Sequence, residues 1–145
     1  MTDAEHSGVV VDTMVVSWLF DDRSNPLADD YRILIGSRPV LLAFQTVMEL
    51  RFGARRARWG ELRRRRLERR IAVLTVVQPD DEMIIACAEL RARCQHIGHA
   101  LGDKVHTGDS WIAATAIRLD VPLVSHDGVF EGAPGLGFTT ANSSL

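Results

Sequence analysis

Four acidic residues of this chain follow apolar segments that have the composition of buried β-strands. Asp12 comes directly after three valines, and Asp127 lies just beyond Pro-Leu-Val-Ser. Glu49 lies in the early turns of a helix that follows another apolar run, and Asp109 opens an apolar helix. Because the carboxyl ends of parallel strands share one crevice, these side chains would repel each other there unless a cation held them. Carboxylate oxygens suit Mg²⁺ or Mn²⁺, and such ions suit phosphodiester chemistry.

Each of these acids also has a structural interpretation. Asp12 and Asp109 could be helix N-caps, because Asp is a favoured cap. Glu49 could be a solvated glutamate paired with Arg51, and Asp127 precedes a glycine in a sequence typical of a turn. The prediction of a metal site therefore depends on the set of four rather than on any one member.

Three neighbouring polar residues, Thr13, Ser125 and Asp103, could contribute to the same crevice. Thr13 could orient Asp12 or cap the following helix, and Ser125 lies just before Asp127. Asp103 could reach the site from the preceding loop. His126 could titrate near neutral pH, but a lone histidine beside a turn is usually solvated, so we assign it no catalytic role.

Short apolar runs alternate with helical patterns along the chain, which predicts a parallel sheet. The patterns predict strands at about 8–12, 39–43, 73–77, 122–125 and 136–140. They predict helices at about 14–20, 27–35, 44–58, 61–71, 81–96 and 109–119. Phe44, Val47, Met48 and Phe52 form the expected apolar face of the third helix. Asp80-Asp81 would cap the fifth, and a Gly- and His-rich loop would occupy about 97–108.

The composition is that of a globular protein. The 145 residues fit one domain, hydrophobic residues make up 46%, and no apolar run approaches the length of a membrane helix. The acidic N-terminus lacks the features of a secretion signal, so we expect a cytoplasmic protein without a membrane partner. Cys87 and Cys94 fall on one helical face, as expected of a reduced pair packed in the core. The ends, about 1–7 and 141–145, are expected to be flexible.

Positive charge is concentrated in one part of the chain, residues 51–70, which we call the arginine segment. It contains ten arginines and two glutamates, for a net charge of +8, whereas the whole chain has a net charge of −2. An acidic pocket repels a polyanion, so a nucleic-acid substrate would need such a basic surface. The candidate phosphate contacts are Arg51, Arg55, Arg58, Arg65 and Arg69. The alternatives are a solvated helix pair or a surface for an acidic protein.

Four blocks of the sequence occur in an order and spacing that resemble a known family. They are Val-Asp-Thr at 11–13, Glu-Leu at 49–50, Asp-Ser-Trp-Ile-Ala-Ala-Thr-Ala at 109–116 and Pro-Leu-Val-Ser-His-Asp at 122–127. On these blocks the chain resembles a PIN-domain ribonuclease of the VapC toxin type, from bacterial toxin–antitoxin pairs. The region 109–127 is the most specific. Many relatives have a Thr and an Asn or Asp in the last block, where this chain has Ser125 and Asp127.

The resemblance implies a fold, an activity and a set of site residues. The fold would be α/β, a PIN-like three-layer α/β/α domain with a central, mostly parallel sheet over residues 1–145. The activity would be endonucleolytic cleavage of structured RNA, such as a tRNA or rRNA loop. Asp12, Glu49, Asp109 and Asp127 would form the catalytic site and bind Mg²⁺, or Mn²⁺, with Thr13 and Ser125 in support. Glu49 and Asp109 are both candidates for the general base.

The resemblance also implies partners. A cognate VapB-type antitoxin would dock near the groove and insert a basic side chain into the acid cluster. Homodimers are common in the family, and Trp18, Trp59 and Leu62 could serve such interfaces or pack in the core.

Three other functions are compatible with parts of the sequence. A phosphorylated receiver module needs a lysine after a late strand, but Lys104 lies in a loop. A haloacid-dehalogenase-like phosphatase needs a second Asp two residues after its nucleophile, where this chain has Met14. A catalytically silent PIN-like module that binds RNA or protein is the main alternative, and metal-dependent RNA cleavage would distinguish it from a nuclease.

Overall fold

The computed structural model describes residues 7–141 and is built around one sheet of parallel strands. The strands are β1 (Val9–Val11), β2 (Val40–Ala43), β3 (Thr75–Val77), β4 (Leu123–Val124) and β5 (Phe138–Thr139). Their order in the sheet is β3-β2-β1-β4-β5, and every neighbouring pair is parallel. Each strand lies within the segment predicted for it. The predicted flexible ends, apart from Ser7 and Ala141, lie outside the described residues.

Helices connect the strands in the predicted alternation. They are α1 (Thr13–Phe20), α2 (Pro26–Ile35), α3 (Phe44–Arg56), α4 (Glu61–Ala72), α5 (Asp81–Ile97) and α6 (Thr107–Leu119). Asp80 caps α5, as predicted, because its side chain accepts a hydrogen bond from the Met83 N–H. The loop before α6 differs from the prediction, since it contains two 3₁₀ turns, Ala100–Gly102 and Lys104–His106, and α6 begins two residues early.

The helices cover both faces of the sheet, which gives the predicted three-layer α/β/α fold. Alternate residues of a strand point to opposite faces. Val10 packs in a cluster with Met83, Cys94 and Ile112 of α5 and α6, whereas Val9 and Val11 pack with residues of α1 to α4. Cys87 and Cys94 are buried and free, so their predicted place in the core is confirmed. No helix within residues 7–141 combines the length and hydropathy needed to span a bilayer.

The expected apolar face of α3 is only partly correct. Val47 is buried, but Met48 and Phe52 are 50% and 59% exposed. The buried side of α3 is instead formed by Thr46, Val47, Leu50 and Ala54. The helix is therefore rotated relative to the prediction, and this rotation brings polar Thr46 into the interior.

The strand order creates a switch point between β1 and β4. The chain moves from β1 outward to β2 and β3, and then returns past β1 to form β4 and β5. Crevices at such points, outside the carboxyl ends of the strands, are the usual binding places of open α/β sheets. Asp12 and Ser125 immediately follow β1 and β4, so both lie at this crevice.

Candidate active site

Ser125 connects the two acids that follow the strands at the switch point. Asp12 and Ser125 are both buried. Asp12 Oδ2 accepts a hydrogen bond from Ser125 Oγ at 2.7 Å, and Asp12 Oδ1 accepts one from the Thr13 N–H at 2.8 Å. Ser125 Oγ in turn accepts a hydrogen bond from the Asp127 N–H at 3.0 Å. The two acids are therefore held by one hydroxyl group.

Local structure explains part of these contacts. Asp12 is the N-cap of α1, and Asp127 caps the 3₁₀ turn Gly128–Phe130 through a 2.9 Å bond from the Val129 N–H. The capping and turn interpretations of these two acids are thus correct. They do not compete with a site function, because each carboxylate oxygen can accept more than one contact and Asp127 is exposed.

Glu49 is held beside Asp12 by contacts between α1 and α3. Thr13 Oγ1 donates a hydrogen bond to Glu49 Oε1 and lies 3.1 Å from Thr46 Oγ1. Gln45 Nε2 donates to Glu49 Oε2 at 3.1 Å. The predicted pairing of Glu49 with Arg51 is not observed; Arg51 pairs with Glu68 instead.

Gly108 allows the start of α6 to approach Glu49. A Cβ atom at this position would lie 2.8 Å from Gln45 Nε2 and 3.3 Å from Glu49 Oε2. Any larger residue would therefore push these side chains away. Because Gly108 has no side chain, Glu49 can lie close to Asp109, the residue that follows Gly108.

Asp109 lies in the first turn of α6 rather than at its N-cap. His106 occupies the cap position, and its Nδ1 lies 3.0 Å from Asp109 Oδ2. The Asp109 side chain is 28% exposed. Ile112, Ala113 and Ala116 on the same stripe of the helix are buried, so Asp109 lies where that stripe reaches the surface.

The four acids, which we call the acidic edge, influence one another electrostatically. Burial raises the pKa of Asp12 from its ordinary value of 3.8 to about 6, and repulsion from Asp109 and Glu49 acts in the same direction. Hydrogen bonds from Ser125 and Thr13 oppose this rise. Burial likewise raises the pKa of Asp109, assisted by Asp127 and Glu49 and opposed by His106. The acidic edge therefore favours binding of a proton or another cation.

The acidic edge offers suitable donor atoms for a hard cation but not a complete cage. Within residues 7–141, no three His, Cys, Asp or Glu side chains are grouped closely enough to hold a metal ion. Several carboxylate oxygens accept hydrogen bonds from the protein instead. Mg²⁺ usually keeps several waters and binds through one or two carboxylates. The residues thus fit a partly hydrated Mg²⁺ and do not fit an ion enclosed by three direct ligands.

Asp103 and His126, the other two polar residues considered near the acids, have different surroundings. Asp103 is exposed beside a 3₁₀ turn. His126 Nδ1 lies 2.6 Å from the hydroxyl of buried Tyr31, which also contacts the Ser125 carbonyl at 3.3 Å. Tyr31 was not predicted, and it braces the segment that carries Ser125.

The five arginines predicted to contact RNA are all exposed, but they are not equivalent. Arg51 and Arg65 form ion pairs with Glu68 and Glu61. Arg58 has a φ of 57°, in the left-handed region. None of the five lines the hollow that reaches Thr13 and Glu49, within the part of the chain that the structure describes. The arginines lining that hollow are Arg23, Arg63, Arg66 and Arg70, none of which is among those five candidate contacts.

Comparison with known proteins agrees with this architecture. A family model described as PIN domain matches residues 9–136. VapBC2 from Rickettsia felis, solved with a promoter DNA fragment, gives a TM-score of 0.75 at 17% identity, over 91% of this chain and 97% of the other. VapBC-5 from Mycobacterium tuberculosis gives 0.67 at 26% identity, with 92% and 98% coverage. DNA-bound VapBC from Salmonella typhimurium gives 0.71 at 23% identity, with 92% and 98% coverage.

A search of curated proteins found no significant match. The match to the family model nevertheless covers most of the chain, and it includes all four members of the acidic edge. The sequence resemblance, the parallel sheet and the family match lead to one conclusion: the chain belongs to the PIN domain family.

Proposed function

We propose that this protein is a metal-dependent endoribonuclease toxin of the VapC type that cleaves structured RNA, such as a tRNA or rRNA. One observation carries the proposal: four carboxylates from separate elements interact electrostatically at the switch point of a PIN-family sheet. Mutual repulsion and raised pKa values are the pattern expected of acids arranged around a cation.

The chain's own residues would divide the work at this site. The carboxylates of the acidic edge, Asp12, Glu49, Asp109 and Asp127, would together hold a partly hydrated Mg²⁺, or Mn²⁺. The ion would supply Lewis-acid polarisation of the phosphodiester and a lowered pKa for the attacking water. Thr13 and Ser125 would keep Glu49 and Asp12 in fixed orientations. Either Glu49 or Asp109 would act as the general base.

The proposed partner is an antitoxin. The solved relatives described above include VapBC toxin–antitoxin proteins, some of them bound to DNA. We propose that a cognate VapB-type antitoxin covers the acidic edge of this chain and that the chain forms a homodimer. Leu62 is 61% exposed and is available for an interface, whereas Trp18 and Trp59 pack partly against the core.

The test is RNA cleavage by purified protein in Mg²⁺ or Mn²⁺. Asp109→Asn should lower the rate by at least about 100-fold, because it removes a negative charge from the centre of the acidic edge. Asp103→Asn is the matched control, since Asp103 is exposed in the preceding loop. Circular dichroism would check that both variants are folded. Equal cleavage by the Asp109→Asn variant would refute the assignment.

A catalytically silent PIN-like module that binds RNA or protein is the second candidate. It is favoured by the absence, within residues 7–141, of a ready three-ligand metal group. The same assay decides between the two functions. A silent module would bind RNA and leave it intact at every concentration of Mg²⁺ or Mn²⁺.

A further inference from the structure

A hollow of about 560 Å³ opens beside the acidic edge. It is enclosed by α1, α3, α4 and the loop that contains Trp59, and it reaches Thr13 and Glu49. Its volume is that of a small-molecule site, so it has room for a few nucleotides rather than a duplex. Because Thr13 and Glu49 belong to its lining, the hollow is continuous with the acidic edge.

The arginines of α4 are divided between this hollow and the opposite surface. Arg63, Arg66 and Arg70 recur at helical spacing and line the hollow. Arg70 is paired with Asp22. The hollow is also lined by Asp21, Asp22 and Glu49, and Arg63 interacts electrostatically with Asp21. Among residues 7–141, neither Arg63 nor Arg66 forms an ion pair within 4.0 Å, so Arg66 is the guanidinium group most open to an incoming anion.

The guanidinium group of Arg63 lies over the indole ring of Trp59. The Arg63 guanidinium carbon lies 3.8 Å from the centre of the Trp59 ring. Arg64 Nη1 donates to the Trp59 carbonyl at 3.2 Å, which fixes the backbone of the loop. A guanidinium plane stacked on an indole ring is a surface on which an unpaired base can stack.

We propose that the hollow binds a single-stranded segment of RNA next to the cleaved phosphodiester. One base stacks on the Arg63–Trp59 pair, and Arg66 contacts a phosphate. The inference rests on the proposed function, because that function places the reacting phosphate at the acidic edge, and Glu49 of that edge lines the hollow. RNA is the occupant that uses both features, since an acidic peptide would neutralise Arg66 but has no base for the stacked plane.

Binding without cleavage tests the inference. A labelled single-stranded RNA of about ten nucleotides is titrated in chelator, and anisotropy is followed at several salt concentrations. Arg66→Ser should weaken binding and make the log–log salt slope shallower by about 0.7, the value for one phosphate contact. Arg65→Ser and Arg69→Ser are matched controls from the same helix and should leave affinity within twofold of the wild type.

The stacking contact has a different signature. Trp59→Leu should weaken binding by about tenfold, within the range for one lost base–aromatic stack, and should leave the salt slope unchanged. If this variant does not fold, Gly53 provides an independent test. Gly53 lines the hollow, and a Cβ atom there meets nothing within 4 Å. Gly53→Ala should bind RNA normally, whereas Gly53→Phe should obstruct part of the hollow and weaken binding by at least about tenfold.

Two results would overturn the inference: equal effects of Arg65→Ser and Arg66→Ser, or competition by a polyglutamate peptide as strong as competition by unlabelled RNA. The outcomes also separate this inference from the proposed function. If the wild type cleaves RNA with metal but the Arg66→Ser and Gly53→Phe variants keep their RNA affinity, the proposed RNA site in the hollow is wrong and the nuclease assignment stands. Binding that depends on the hollow, without cleavage by the wild type, would refute the nuclease alone.

Discussion

The acidic edge and the arginine segment carry opposite charges and are built in opposite ways. Asp12 is almost fully buried and is held by hydrogen bonds from Ser125 and Thr13. The guanidinium groups of Arg51 and Arg65 are more than half exposed, and their partners are exposed as well. Changes at the acidic edge should therefore affect catalysis and folding together. Changes of the exposed arginines should cost little folding free energy, and only those that line the hollow should affect RNA affinity.

The arginine segment is itself divided by the helical period. Leu67 and Ile71 pack in the core and set the rotation of α4. Arg63 and Arg66 then face the hollow near Glu49, and Arg65 faces away. Arginines that are adjacent in the sequence thus have different surroundings, so a uniformly basic stretch does not make a uniform surface.

The largest expected effect is on stability, from Asp12→Asn. Burial raises the Asp12 pKa from 3.8 to about 6, so the folded protein binds a proton more tightly than the unfolded chain. Wild-type stability should therefore fall as pH rises from about 4 to about 6, and the penalty persists above that window. In chelator at pH 7.5, the variant should be more stable by about 2 kcal/mol, as measured by urea denaturation.

Saturating Mg²⁺ should make the wild type more stable than Asp12→Asn, the reverse of their order in chelator. A ligand at roughly 100 times its Kd adds about 2.7 kcal/mol to the free energy of unfolding of a protein that binds it only when folded. The ion should stabilise the wild type and the exposed control Asp103→Asn, but not Asp12→Asn. Equal stabilisation of all three proteins would show that Asp12 does not bind the metal. It would also remove the functional contrast between the acidic edge and the arginine segment.

Ser125→Ala should have the next largest effect. It removes the hydroxyl that donates to Asp12 and accepts from the Asp127 N–H. Loss of a group that orients a ligand typically costs about 10- to 100-fold in activity or metal affinity. Because the lost hydrogen bond favoured the ionised carboxylate, the Asp12 pKa should rise further and the acidic limb of the pH–rate profile should move to higher pH.

Ser125→Thr distinguishes orientation from packing, because it retains the hydroxyl. It should restore the position of the acidic limb even if the added methyl group lowers stability at this buried position. An acidic limb that is the same in the Ala variant and in the wild type would show that Ser125 does not act through Asp12.

The elements of the fold were predictable because their signals are local. Val9, Val10 and Val11 form a strand that is buried on both faces, and the following acid caps the next helix. The all-parallel sheet follows from the alternation of strands with helices. The rotation of α3 was not predictable in this way, because Phe52 is exposed while Thr46 is buried, and apolar periodicity assumes the opposite.

The acidic edge was predictable as a set of residues, but its supports were not. Tyr31 and His126 are 95 positions apart, and their contact depends on where α2 lies against β4. Gln45 and Gly108 likewise meet only because α6 approaches α3. A run of arginines does not reveal which of them face inward, because their side chains carry no apolar signal. The large apolar residues of α4 do not settle it either, since Leu67 and Ile71 are buried but Leu62 is exposed.

Arg51→Ala should have the smallest effect, and it tests the division of the arginine segment. Arg51 donates two hydrogen bonds to Glu68, at 2.7 and 3.1 Å, and so joins α3 to α4. Both partners are about half exposed, so the variant should lose only about 0.5 kcal/mol of unfolding free energy and retain its RNA affinity.

The hydrogen bonds between Arg51 and Glu68 lower the Glu68 pKa below its ordinary value of 4.5. The loss should therefore be complete above pH 4.5 and disappear as the pH falls through the lowered pKa. A double-mutant cycle with Glu68→Ala would isolate the pair. Unchanged stability with weaker RNA binding would return Arg51 to the RNA contacts predicted from the sequence, and the two sides of α4 would no longer differ in function.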